Sequence, residues 1–182
     1  MRKLMLGIFF IIAVVSANSA YAESVPIHDS VGAGGLIEKY NSLTYRSKSI
    51  YFTACEKIPG TADEVYLIET NVGDLGDNVL LVYPNKQGTI DKIIILVRED
   101  GRLNREPYKI LTEEILTLFN AFIIPPSNDE EGENLISAFV QAGKTGKSSF
   151  WSRTQGKRYI IERFRTINNN IPFANVRITA RV

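Results

Sequence analysis

Residues 158–182 read RYIIERFRTINNNIPFANVRITARV. Two runs rich in β-branched and aromatic residues flank three asparagines, which predicts a hairpin with strands over 158–167 and 171–182. In the second run Ala174, Val176, Ile178, Ala180 and Val182 alternate with Phe173, Asn175, Arg177, Thr179 and Arg181. A two-residue period of this kind marks an antiparallel strand with one apolar face and one wet face. A loop of three asparagines would pair odd positions with odd, so that Arg163, Arg165, Arg177 and Arg181 share the wet face. An even loop would put the two strands' arginines on opposite faces. The alternation of the last strand favours the odd loop and a common basic face.

Outward from this hairpin the signals remain local. Residues 149–153 read as a further strand, and Thr154-Gln155-Gly156-Lys157 as a turn. Before them, Leu135, Ile136, Phe139 and Val140 form an apolar stripe at helical spacing, with Gly143 as the expected stop. Ser127 with Glu130, or Asn128 with Glu131, can form a capping box at its start, where acidic residues suit the helix dipole. A second stripe, Leu111, Ile115, Leu118 and Phe122, lies between Pro107 and Pro125-Pro126. Further upstream, strand-like runs cover 50–57, 64–71, 78–83 and 89–97, the last two joined by Pro84-Asn85-Lys86-Gln87-Gly88. Leu36, Ile37, Tyr40 and Leu43 suggest a short helix over 35–46. Short connections imply antiparallel neighbours. The expected fold is therefore α+β: one domain over 35–182, mainly antiparallel sheet, with helices on one face, in the order α-β-β-β(β)-α-α-β-β-β.

The chain has 182 residues and a formal net charge of +1. Residues 1–22 carry Arg2 and Lys3, an apolar run from Met5 to Val15, and Ala20-Tyr21-Ala22. This is the pattern of a cleavable export signal, too short in its apolar run to span a bilayer. The mature chain would start at Glu23, with 23–34 as a glycine-rich, flexible lead-in and no membrane segment left. A lone cysteine, Cys55, and no N-x-[ST] acceptor favour a bacterial periplasmic or secreted protein. Cys55 itself sits in an apolar run and reads as a small buried hydrophobe.

Few residues offer chemistry. His28 is the single histidine and lies in the lead-in, remote from any nucleophile it could activate. One His and one Cys far apart do not make a zinc site, and no cofactor or metal is implied. Gly146-Lys147-Ser148 ends like a phosphate loop, but Gln141 stands where the first glycine belongs, and a strand follows where a helix should. Residues 71–78 lack the spacing of a calcium loop. Glu113 and Glu114 are adjacent on a helix and diverge.

The prominent pattern is charge segregation. Residues 23–143 hold 10 Lys/Arg against 19 Asp/Glu, whereas residues 144–182 hold 9 Lys/Arg and one acid, Glu162. Arginine's planar fork suits carboxylates, and Trp151 offers an anchoring aromatic. The expected function is that of an exported, non-catalytic binding protein of the bacterial envelope. It would be an inhibitor, immunity or accessory factor that meets an acidic protein or other anionic component through Arg163, Arg165, Arg177, Arg181 and Trp151. A mature net charge that is not basic argues against nucleic acid. The alternatives are a lipid-like ligand carrier with an apolar pocket and an envelope hydrolase built on carboxylates brought together by folding. The sequence leaves the oligomeric state open.

Overall fold

A computed structural model describes residues 25–29, 32, 35–36, 52–57, 66–70, 78–99, 129–168 and 170–182. Seven strands form one antiparallel sheet: β1 (Phe52–Lys57), β2 (Tyr66–Thr70), β3 (Asn78–Pro84), β4 (Ile90–Arg98), β5 (Lys147–Ser152), β6 (Lys157–Asn168) and β7 (Ile171–Arg181). Helix α1 (Asp129–Thr145) packs over β5 and β6. The fold is α+β, as the hydrophobic periods imply. Residues 1–22, where an export signal is expected, residues 71–77, and the Leu111–Phe122 stripe and nearly all of 35–46, where helices are expected, lie outside the described residues.

The sheet order is β1-β2-β3-β4-β7-β6-β5. Two antiparallel runs of strands, β1-β2-β3-β4 and β5-β6-β7, therefore meet along β4 and β7, and β5 forms one edge. The turns carry the residues their backbones demand. In the β3–β4 turn, Asn85 Oδ1 accepts the N–H groups of Gln87 and Thr89, and Gly88 takes φ 82°. Gly156 (φ 61°) serves the β5–β6 turn, and Asn170 (φ 64°) the β6–β7 turn.

The register of the last hairpin differs from the expectation. Asn168 pairs with Ile171, so the loop holds two residues and odd positions pair with even: Glu162 faces Arg177, Arg163 faces Val176 and Arg158 faces Arg181. Arg163 and Arg165 thus project from the helix side of the sheet, Arg177 and Arg181 from the other. The four arginines do not share a face.

Nor is the odd side of β7 wet. Phe173, Asn175, Arg177 and Thr179 are all buried. β7 is a central strand, and Asn175 and Arg177 find partners on β6 instead of in water, although Asn175 Oδ1 accepts no hydrogen bond. Asn175 donates to the Thr166 hydroxyl (2.9 Å), and Arg177 donates to Glu162 (3.1 Å). An alternating polar residue means an outward face only when the neighbouring strands offer no partner.

On the helix side, Val82, Ile93, Ile95, Val176, Ile178, Tyr159, Ile161 and Phe150 make a continuous core with Leu135, Ala138, Phe139 and Ala142 of α1. Leu135 and Phe139 of the expected stripe face the core, but Ile136 and Val140 are 41% and 47% exposed, and Ala138 and Ala142 complete the inward face instead. Small Ala138 and Ala142 let α1 lie close to the sheet. The helix also passes Gly143 and ends at Gly146 (φ 81°), whose N–H reaches the Ala142 carbonyl at 2.8 Å.

The glycine-rich lead-in is anchored where it is described. Val25 donates to Ala180 (3.1 Å) and Ile27 to Ile90 (2.7 Å), which ties residues 25–28 to both β7 and β4. Ile27 joins the core. The buried Tyr159 hydroxyl donates to the Ile27 carbonyl (2.9 Å), and the Lys157 ammonium to the Pro26 carbonyl (2.9 Å) and the Asp29 carboxylate. Burial and the nearby Asp29 and Glu131 charges push the Tyr159 phenol above its usual value, so it stays a neutral donor. Tyr159→Phe should cost about 1–2 kcal/mol in urea unfolding, since the Ile27 carbonyl loses that donor. Amide exchange at Ile27 should accelerate in the same variant, and unchanged protection there would refute the clasp.

Candidate functional site

The arginines divide into structural and open groups. Arg163 lies against α1: its guanidinium sits 4.4 Å from the centre of the Phe139 ring and 3.4 Å from the Phe139 carbonyl. A Cβ at position 143 would overlap it, so Gly143 is where the helix admits this side chain. The charge also complements the negative end of the helix dipole. Arg177 is 7% exposed and is held by Glu162 and the Phe164 ring. Glu162, the single acid after residue 143, also accepts from Lys147 (2.8 Å). Arg165 is exposed and meets Glu99 at 3.2 Å. Arg177 is therefore buried in the fold and Arg163 is packed on α1; of the expected four only Arg165 is exposed, with Arg163 and Arg181 half-buried.

The register assembles a different group. Trp151 pairs with Arg158, and Arg158 pairs with Arg181. The three side chains form one row across β5, β6 and β7, on the face away from α1. Neighbouring Cβ atoms in such a row lie about 5 Å apart. Trp151 is 45% exposed, Arg158 is exposed and Arg181 partly so. Two like charges directly opposed on adjacent strands repel, and a bound anion would relieve that repulsion. Arg158 was absent from the sequence-based group. It could have been found only with the correct loop length, because the even register alone brings it beside Arg181.

Around the edge from Trp151, a groove of about 550 Å³ runs between α1 and β5, lined by Glu130, Asn134, Ser137, Gln141, Ser149 and Arg153 among others. Its inner end is closed by Glu131, which is 4% exposed. Residues 127 and 128, on which the expected capping boxes rest, lie outside the described residues. The Glu131 carboxylate faces the sheet and accepts the Ser152 hydroxyl (2.7 Å), the Thr154 N–H (2.9 Å) and the Thr154 hydroxyl (3.1 Å). Burial pushes its carboxyl up. The N–H of Thr154, the two hydroxyls and the N–H of Arg153 together outweigh that and hold it below the ordinary range. Glu131 thus pins the start of α1 to the β5–β6 turn, and through that turn it places Trp151 and Arg158.

His28 bridges to Ile90 through its backbone, and the described residues contain no group of three metal-ligating side chains. Gly146-Lys147-Ser148 links a helix to a strand, the reverse of a phosphate loop. Cys55 lies in β1, paired through the backbone with Ile68. The chain matches no family model, and none of the curated proteins or solved structures compared with it matches.

Two outcomes follow from these contacts. Gly143→Ala should stabilise the protein by about 1 kcal/mol only when Arg163 has been shortened to alanine, because helix propensity then acts without the clash; additive free energies in that double-mutant cycle would contradict the packing. Glu131→Gln should destabilise by about 1–3 kcal/mol at neutral pH. The carboxylate's contribution is full above its unfolded pKa of 4.5 and is lost as pH falls through the lower folded value. The gap between wild type and variant should therefore narrow as pH falls below 4.5 in urea titrations.

Proposed function

We propose that this chain is an exported, non-catalytic binding protein of the bacterial envelope, acting as an inhibitor, immunity or accessory factor on an acidic protein. The observation that carries the reading is the row Trp151–Arg158–Arg181. Two guanidinium forks side by side match the paired carboxylates of an acidic segment, and the indole supplies apolar contact beside them. The export signal at 1–22 supports an extracytoplasmic partner. Support for a binding role over a hydrolytic one comes from Glu131, whose carboxylate is engaged by hydrogen bonds and held ionised, a state unsuited to donating a proton. The mixed polar lining of the groove suits polypeptide better than lipid.

Trp151 is the single tryptophan, so its fluorescence reads the site directly. Titration with a poly-glutamate peptide should perturb that emission, and added salt should weaken the binding. Arg158→Ala/Arg181→Ala should weaken it about tenfold or more, while Arg165→Ala, on the opposite face, should leave it unchanged. Equal affinity of the double variant and wild type would reject the arginine row as the contact.

A further inference from the structure

The geometry points to a second copy of this chain as the occupant of the β5 edge, related by a two-fold axis, so that the sheet continues from β5 into β5 of the second copy and the two α1 helices lie side by side. The inference does not rest on the arginine row.

The edge is open in a specific pattern. Arg163 N donates to the Gly146 carbonyl at 2.8 Å, which makes these two a hydrogen-bonded pair at the start of the β5–β6 ladder. Alternation along an antiparallel ladder then directs the backbone groups of Ser148, Phe150 and Ser152 toward β6, and those of Lys147, Ser149 and Trp151 outward. The Thr145 hydroxyl donates to the Lys147 carbonyl at 2.7 Å, in keeping with its outward aim. Among the described residues no strand pairs with this outer edge. It contains no proline and a single lysine, so it has little of what usually blocks edge-to-edge pairing.

The helix above that edge is complementary to itself. Glu130, Asn134, Ser137, Gln141 and Lys144 follow one another at spacings of four and three, which is one line along α1. Four of them line the groove beside β5. Laid antiparallel against its own copy, the line sets Glu130 opposite Lys144, Asn134 opposite Gln141, and Ser137 opposite itself. Opposite charges meet at both ends and amides meet between them. Among the described residues Glu130 meets Arg153 in a loose, exposed pair (3.8 Å).

Strand and helix agree on where the axis passes. Nine residues of helix from Gly146 back to Ser137 cover about 13 Å. Three to four residues of strand from Gly146 on to Ser149 and Phe150 cover about 10–13 Å. Ser137, Ser148 and Ser149 accordingly border the same groove. An axis through this level pairs Ser149 with itself and Lys147 with Trp151 across the new ladder. Adjacent strands lie about 4.8 Å apart. Because α1 lies over both β5 and β6, its axis is set back from the edge, and the two helices come to about 10 Å, an ordinary packing distance. A two-fold axis normal to the sheet keeps both helices on one face, as this arrangement requires.

The test is the native mass of the purified protein by light scattering and sedimentation from about 1 to about 100 μM. The mass should rise to that of two chains with concentration. Ser149→Pro should hold it at one chain, because it removes an outward N–H and leaves the bonds to β6 in place. Glu130→Lys should weaken the dimer about tenfold, since two symmetry-related charge pairs turn repulsive, and Glu130→Lys/Lys144→Glu should restore it to within about twofold. This charge exchange lies on the exposed helix surface, so it decides the matter even if the proline variant does not fold. A one-chain mass throughout overturns the inference and leaves the edge to a foreign extended peptide. A dimer indifferent to the charge exchange overturns it as well.

Discussion

The two-residue turn between β6 and β7 is the constraint on which the rest depends. It sets a ladder of eleven paired positions, Arg158–Asn168 against Ile171–Arg181. Side chains alternate with period two, so a slip of one residue would invert every neighbour relation across the two strands. Tyr159 and Ile161 would leave the core they now share with Val176, Ile178 and Ala180. The clasp on residues 25–29 would leave with them, since Tyr159 and Lys157 supply its buried donors. The loss of so much buried apolar surface at about 25 cal/mol per Å² explains why the register is strongly specified.

The basic C-terminal block is best understood through this ladder. Opposing Glu162 to Arg177 brings the block's sole acid to its buried arginine. A single buried guanidinium without a partner would be strongly destabilising. The same register turns Arg163 to the helix side, where Gly143 makes room for it. Charges that look like a patch in sequence are thus spent largely within the fold. Arg158 and Trp151 are exposed near the end of the sheet with the half-buried Arg181 beside them, and Arg165 is exposed on the opposite face.

The edge strand and the helix above it form a second unit with its own logic. Gly146 allows a helix and a strand to meet in one residue. That tight link fixes the level of α1 against β5, and Glu131 fixes its far end. A helix held at both ends presents a defined flank. The polar line from Glu130 to Lys144 and the outward backbone of Ser149 are therefore features of one rigid surface.

Much of the architecture was legible in the residues themselves. Strand runs, the turns at 84–88 and near 154–157, and a helix carrying Leu135 and Phe139 follow from hydrophobic period and turn chemistry, which are local properties, although the structure carries that helix past Gly143 to Thr145. The α+β class follows from their order. The site was less legible. Whether three asparagines make an odd or an even loop depends on pairing energy summed over both strands, and sequence spacing does not contain it. The same holds for the stripe of α1: Ile136 and Val140 are more apolar than Ala138 and Ala142, yet close approach to a sheet rewards the small residues. Burial of Asn175 and Arg177 was hidden because their partners, Thr166 and Glu162, lie on another strand. The sequence by itself determined which segments are strands, which is helix, and that its charges are segregated. Only the tertiary structure decided which arginines face water, because that choice rests on register and on contacts between residues far apart in the chain.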